Sequence, residues 1–418
     1  MVGPFGMTVK STMRERALPM AKALTRRGHS VTLIVPPWDS PNEAGKTWQD
    51  GGVQIINTRL PQAKGPSFHF QLTATLVRAT LDLKPNVIHL FKPKAYAGLS
   101  HLALAALRRI DRHQARLIVD EDDWEVAWND MNNYSPLQKR FFAWQEPWGL
   151  RHADRITAAS RVLQELIEDL SIPRYKVHYV PNGVRSNANP VAAVKAFSEA
   201  TFQPEPGGWS ASFGPVSAPG EGFGQGVRAT YDLFGRPVIL LYTRFFEFQL
   251  TSLMAVIARV NLFMPEVRWL VVGQGYFEEE KKLEAMARAQ HLEGKLIFAG
   301  WVPQESLPNY FAVANVALHP YDETMLNQTK CSVKLLDLLS AGVAVVASRV
   351  GQNAEYIVHG KTGLLVPPQN LNALADALML VLKNRQLQHR LGREAARYVN
   401  NVFSWNVLVE EVEAAYKE

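Results

Sequence analysis

The chain has 418 residues, of which 47% are hydrophobic and 20% charged, and its formal net charge is +6. That length exceeds one ordinary hydrophobic core and favours two α/β domains. A single cysteine, Cys331, excludes an intrachain disulfide framework and a cysteine-rich zinc site and suits a reducing, cytoplasmic compartment.

The opening MVGPFGMTVK lacks the length and cleavage pattern of a secretory signal, and no run approaches the ~20 apolar residues of a membrane span. Basic residues gather in the first half: Lys10, Arg14, Arg16, Lys22, Arg26 and Arg27, then Arg108, Arg109, Arg112 and Arg116. They read either as solvated helix faces or as an attraction to anionic lipid head groups or a phosphate-bearing acceptor. The second option would place the protein peripherally at the inner face of the plasma membrane. Nothing interleaves aromatic and basic residues as a base-stacking surface does, so nucleic acid is not an expected partner.

In chain order, Met1–Val2 predicts a short strand, Gly3-Pro4-Phe5-Gly6 a loop, and 13–27 a helix stopped by Gly28. Val31–Val35 is a continuous apolar strand of parallel-sheet type. Strands follow at 53–57, 87–89, 117–119, 155–159 and 176–180, with helices at 70–83, 97–109 and 161–170 between them. From Arg185 to Gly235 the alternation stops in a Gly-, Pro- and Ser-rich stretch that reads as a mobile linker or insertion. It resumes with strands at 237–242, 268–272, 295–298, 316–319 and 343–347 and helices at 251–263, 278–291, 307–312, 333–340 and 354–358. Long helices at 371–383 and 387–399 precede a last one at 403–416. Short apolar strands alternating with amphipathic helices mean a doubly wound parallel sheet. The expected domains are 1–184, a linker 185–235, a second Rossmann-like domain 236–400, and a closing helix 401–418.

Ligands of open α/β sheets bind beyond the carboxyl ends of the strands, where loops enter helices. Four such loops stand out in the second half. Gly273 and Gly275 follow a strand and permit close backbone approach, or simply make a tight turn; they do not complete a dinucleotide-binding fingerprint. Ser332 and Val333 open a helix that carries Lys334 and, one turn in, Asp337. The helix dipole with Lys334 suits a diphosphate and Asp337 suits ribose hydroxyls; the alternative makes Lys334 a surface residue and Asp337 a helix-stabilising charge. Gly351, Gln352, Asn353 and Glu355 form a third loop. Arg244, just after a strand, is placed for a phosphate or for solvent.

The run Asp120-Glu121-Asp122-Asp123-Trp124 ends a strand of the first half. Asp122 and Asp123 are candidates to bind acceptor hydroxyls or act as base, ahead of a divalent metal or a capping role for Asp122. Gly6, His89 at a strand end and Trp124 are further acceptor-side candidates. Trp124, Trp128, Tyr134, Trp144 and Trp148 can stack on sugar rings or pack in the core.

The second half resembles the donor domain of GT-B-fold, retaining glycosyltransferases of family 4. The resemblance rests on Gly273-x-Gly275, Phe298-Ala-Gly300-Trp301-Val302-Pro303, Lys334-Leu-Leu-Asp337-Leu-Leu-Ser-Ala-Gly342, Gly351-Gln-Asn-Ala-Glu355 and Gly360-Lys-Thr-Gly363-Leu-Leu-Val-Pro367. Val180-Pro-Asn-Gly-Val184, Arg26–Val31 and Phe403-Ser-Trp405 are similar to the family's first-domain junctions and closing helix. The resemblance implies an α/β, GT-B fold: two Rossmann-like domains facing across a cleft, with the C-terminal helix crossing back to the first.

It also implies transfer from a nucleotide-diphospho-sugar to a hydroxyl acceptor with retention, and no obligate cofactor or metal. Arg244 and Lys334 would bind the diphosphate, Asp337 would stand for the ribose-binding Glu, Gly300, Trp301 and Val302 would face the base, and Gly351–Glu355 would lie near the sugar. The chain departs from the family pattern at several positions. Gln249 stands where a lysine is usual, and Thr329 and Asp337 where two glutamates are. Lys10-Ser11-Thr12 replaces a glycine pair, and Asp122-Asp123 a His-Asp pair. Two alternatives share the donor pocket. An epimerase would change a ring-carbon configuration, and a non-catalytic binder would release no nucleotide.

Overall fold

The structure, a computed structural model, describes residues 1–9, 12–129, 131–184 and 224–417. Lys10, Ser11 and most of the expected linker, 185–223, lie outside them. The chain divides into two compact units: Met1–Gly183 with Gln328–Cys331 and Phe403–Glu418, and Val184–Asn327 with Ser332–Val402.

In the first unit β1 (Thr32–Val35), β2 (Thr47–Asp50) and β3 (Val53–Asn57) order as β1-β3-β2, with only β2 antiparallel. β4 (Val87–Phe91), β5 (Arg116–Glu121), β6 (Arg155–Ala158) and β7 (Val177–Tyr179) follow in sequential parallel order. The expected first strand shrinks to one residue with a large role. Val2 bridges in parallel to both Ile34 and Leu90 and so joins the two sets into one sheet. The chain starts at that central position, builds outward on one side, then returns to build the other. Val2 and β4 therefore flank the switch point where such sheets bind ligands.

The expected helix 13–27 opens as a π-helical turn, Met13–Ala17, and continues as Leu18–Arg26. Gly28 ends it at φ +95°, a conformation an L side chain resists. The last helix, Trp405–Lys417, belongs to this unit; its Trp405, Leu408, Val409 and Val412 share a core with Met20, Leu24, Leu33 and Ile55. Two expectations need correction. β4 runs to Phe91, so His89 lies mid-strand rather than at its end. Residues 136–152, left without an element, form a helix that Ser135 and Gln138 cap reciprocally.

The second unit holds β8 (Val238–Tyr242), β9 (Arg268–Val272), β10 (Leu296–Gly300), β11 (Val316–His319), β12 (Val345–Ser348) and β13 (Leu364–Val366). Their order, β10-β9-β8-β11-β12-β13, is parallel throughout. All five residues of β9 but Arg268 are buried, as a strand covered on both faces requires. The switch point falls between β8 and β11. A short helix, Gln225–Thr230, precedes β8 within the stretch read as linker.

Candidate donor and acceptor sites

The loop after β8 carries much of the second unit's charge chemistry. Thr243 accepts the Phe245 N–H at 2.8 Å and donates to Glu247 Oε2 at 3.1 Å, which folds the loop back on itself. Arg244 is left on the outside, donating to the Tyr276 hydroxyl at 2.6 Å and lying 5.6 Å from its ring centroid. Glu247 points inward, 3% exposed, and its Oε1 lies 3.1 Å from Lys334 Nζ. Lys334 is the second residue of the helix Val333–Ser340. Ser332 caps that helix, accepting the Leu335 N–H at 3.3 Å, with His319 Nε2 of β11 also 3.3 Å away. Arg244, Lys334 and a capped helix N-terminus thus stand at or next to the ends of β8 and β11.

Gly273 proves irreplaceable on two counts. Its φ is +124°, and a Cβ there would sit 1.9 Å from the Thr243 carbonyl oxygen. Gly275 donates its N–H to Glu280 Oε2 at 3.0 Å. At the end of β10, Gly300 turns at φ +66°; beyond it Trp301 is 69% exposed and Val302 is buried. Asp337 is half-buried one turn inside its helix. In the third loop Gly351 takes φ +46°, but the Gln352 and Asn353 side chains are buried. Asn353 Nδ2 donates to the Ser348 carbonyl at 3.1 Å, so its amide braces the turn. Glu355 is half-buried. Thr329 is fully buried within the first unit, its carbonyl accepting the Ser160 hydroxyl at 3.2 Å.

In the first unit the acidic run divides by direction. Asp120 faces the interior, where Arg16 Nε reaches its two oxygens at 2.7 and 3.0 Å. Thr157 donates to the same carboxylate at 2.9 Å, and Arg16 also donates to the Val180 carbonyl. Asp120 is therefore a structural charge, unlike the candidate acceptor set, Asp122, Asp123, Gly6, His89 and Trp124. His89 leaves that set: it is 1% exposed, with Nδ1 2.8 Å from the Tyr416 hydroxyl and Nε2 3.1 Å from Thr157 Oγ1. Burial, with the amino terminus and Arg16 nearby, pushes its pKa well down, so it stays neutral.

Asp122 and Asp123 converge instead on Lys92, whose Nζ lies 2.8 Å from Asp122, 3.0 Å from Asp123 and 2.5 Å from Glu125. Oxygens of these three acids lie within 4.8 Å of one another, a spread suited to a hard cation, and the Lys92 ammonium takes that position. Burial works against the lysine's charge, but the three carboxylates outweigh it and hold its pKa well above the usual value. Burial raises Asp123 to about 6 despite Lys92. Glu125 is also pushed up by burial, yet Lys92 and Lys94 bring it below its usual value.

Beneath them Glu146 accepts the N–H groups of Glu125 and Val126, at 2.5 and 3.1 Å. Burial first, then the Glu125 charge, raises Glu146 to about 7. Glu121 is fully buried, and neither of its carboxyl oxygens has a hydrogen-bond partner among the described residues. Burial and then the Glu146 charge hold Glu121 well above the carboxylate range, which favours its neutral form.

Gly6 lies in the loop after Val2 and donates its N–H to Asp39 at 3.0 Å. Trp124 is half-buried before the short helix Glu125–Trp128. Trp144 is 48% exposed and Trp148 half-buried on the helix Pro136–His152. The sequence reading missed Glu247, Lys92 and Glu146. Glu247 had a visible signal, a lone acid in Phe245-Phe246-Glu247-Phe248 at a strand end.

Parallel α/β units with this strand order, cations and a helix N-terminus at the switch point of one of them, define the class of GT-B-fold transferases. Residues 11–183 match the glycosyl transferase 4-like domain and residues 236–384 the glycosyl transferases group 1 domain. The chain belongs to this glycosyltransferase family and is a nucleotide-sugar-dependent glycosyltransferase.

It is 22% identical over 397 residues to the GDP-mannose-dependent alpha-(1-6)-phosphatidylinositol monomannoside mannosyltransferase of Mycobacterium tuberculosis, covering 92% of this chain and 89% of that one. It is 23% identical over 424 residues to the phosphatidyl-myo-inositol mannosyltransferase of Mycolicibacterium smegmatis, covering 100% of this chain and 92% of the relative. Among solved structures, Anabaena HepE in complex with UDP and glucose aligns at a TM-score of 0.68 and 15% identity, over 99% of this chain and 98% of that one. Sucrose-phosphate synthase from Thermosynechococcus elongatus aligns at 0.67 and 19%, over 95% and 91%.

Proposed function

We propose that the second unit binds the donor diphosphate through Arg244, Lys334 and the N-terminus of the helix Val333–Ser340. Asp337 would take the ribose, Gly300–Val302 the base, and the Gly351–Glu355 loop the sugar. The observation that carries this is the placement of both cations at the ends of the strands flanking the β8/β11 switch point. There they neutralise charge that develops on the departing diphosphate, which is where transition-state stabilisation counts most. The protein's own cations do this work, so the reading requires no obligate metal.

On the first unit, Asp122, Asp123 and Lys92 supply acceptors and a donor for a hydroxyl-bearing acceptor. Asp123, at about 6, is ionised at pH 7 and more basic than an ordinary carboxylate. Retention of configuration is part of the proposal through the family pattern. Because the curated relatives named above act with GDP-mannose or on phosphatidylinositol, and HepE holds UDP and glucose, GDP-mannose and UDP-glucose head the donor panel.

Thermal shift with GDP, UDP and their sugars identifies the donor, since a ligand bound only by the native state raises its stability. Lys334→Ala should weaken nucleoside diphosphate binding by about 10- to 100-fold, the worth of a charge-assisted hydrogen bond. Unchanged binding by that variant would falsify the site assignment.

The same proposal extends to an anionic membrane surface. No described helix is long and apolar enough to cross a bilayer. The helix Pro136–His152 instead exposes Leu137, Phe141 and Trp144, spaced on one face, beside exposed Arg140 and Arg151. Its single acid, Glu146, is buried. A basic helix with exposed aromatics suits an interface with anionic lipid. Trp144→Ser with Phe141→Ser should cut co-sedimentation with phosphatidylserine-containing vesicles several-fold at unchanged nucleotide affinity. Equal pelleting of variant and parent, or equal pelleting on neutral vesicles, removes this part.

A further inference from the structure

Lys334 occupies an awkward place. It is the second residue of its helix, where the macrodipole is positive and a cation is disfavoured. Glu247 is awkward in the opposite sense: a carboxylate 3% exposed is costly unless a cation and hydrogen-bond donors meet it. Each resolves the other at 3.1 Å. Glu247 is also held firmly. Its second oxygen accepts the Thr243 hydroxyl at 3.1 Å, and its carbonyl accepts Asn327 Nδ2 at 2.7 Å and the Asp322 N–H at 2.9 Å. The ammonium lies 5.8 Å from the Tyr242 ring centroid, so its arm runs back along the end of β8. Arg244 hangs from the same loop, and Gln249 two residues beyond Glu247 is uncharged.

We propose that Glu247 is a positioning residue for donor chemistry, resting on the reading that Lys334 meets the diphosphate. It anchors the Lys334 ammonium beside the helix N-terminus and cancels part of its field before the donor arrives. The bound nucleoside diphosphate is thereby held less tightly than two uncompensated cations would hold it. The ammonium nevertheless stays where charge develops as the sugar departs. The residue thus favours release of product and a fixed geometry over tight ground-state binding.

Glu247→Gln separates the two effects. It removes the charge and keeps a group of the same size against Thr243. With GDP and UDP as probes, affinity should rise about three- to tenfold, because one opposing charge near the phosphates is gone, while kcat falls about tenfold as the lysine loses its anchor. The uncharged controls guanosine and uridine should bind the variant and the parent equally. Glu247→Asp, which retains the charge on a shorter arm, should keep parental diphosphate affinity and recover part of kcat.

In a Lys334→Ala background, Glu247→Gln should change kcat no further. Parental constants in Glu247→Gln, or weaker GDP and UDP binding with unchanged nucleoside binding, overturn the inference. If Glu247→Gln also lowers nucleoside affinity, Glu247→Asp decides: loss of diphosphate affinity there, with charge retained, overturns it as well. Normal nucleotide binding by Lys334→Ala alone sinks the underlying site reading instead, which keeps the two failures distinct.

Discussion

In the first unit the charges at the strand ends are enclosed and answered by one another: Arg16 by Asp120, Lys92 by Asp122, Asp123 and Glu125, Lys94 by Glu125. In the second unit the corresponding loops turn cations outward. Arg244 is exposed on Tyr276, and Lys334 is paired with the buried Glu247. Both sheets start at their centre and switch direction there, so topology alone offers each the same place for a ligand. What differs is electrostatic. The second unit has an arginine on the outside of the loop after its central strand, whereas the first holds its lysines against buried carboxylates. One fold plan therefore carries two different charge arrangements at the same topological position.

The sharpest way to break this comparison is to strand a buried charge in the first unit. Asp120→Ala leaves Arg16, 1% exposed, without its carboxylate. We expect a loss of about 3–5 kcal/mol, read as a drop of about 10 °C in melting temperature. The double replacement Arg16→Met with Asp120→Leu should cost less than Asp120→Ala alone. If the single change costs under about 1 kcal/mol, the enclosed network is not what organises this unit.

A smaller effect concerns the buried carboxyls of Glu121 and Glu146. Both carboxyls are raised in the folded state, Glu146 to about 7 from an ordinary value of 4.5. The folded state therefore holds protons that the unfolded chain has released, and its stability falls as pH rises from about 4.5 through about 7. Glu121→Gln removes one of the two buried acids that oppose each other. It should flatten that slope and raise stability at pH 8 by about 1–2 kcal/mol, measured by denaturant unfolding across pH 5 to 8. An unaltered slope would show that Glu121 takes no part in this titration.

The smallest expected effect is that of Tyr416→Phe. It removes the 2.8 Å contact to His89 while keeping the ring that packs edge-on against it. About 1 kcal/mol of stability should go, with GDP and UDP affinity untouched, since the second unit has no part in that contact. A change in nucleotide affinity would show that the two units are coupled more closely than their separate cores imply.

The alternation of short apolar strands with amphipathic helices was enough to read two parallel sheets, because period-two and period-3.6 patterns are local. The turns and caps of the proposed donor loops were legible for the same reason: the conformations at Gly273, Ser332 and Gly351 follow from the backbone within a few positions. The helix Pro136–His152 escaped because its apolar residues point both inward and outward, which blurs the periodicity, although Ser135 and Gln138 marked its start. His89 was misplaced because β4 runs two residues further than the apolar run suggested.

Sequence by itself determined the fold class, the family and the turns that follow the strands, all of which depend on residues near one another in the chain. Tertiary structure decided which charges are partners: Arg16 and Asp120 are 104 positions apart, Lys334 and Glu247 are 87 apart. Burial then fixes the protonation state of those groups, and burial is a property of the packed molecule that no local pattern encodes.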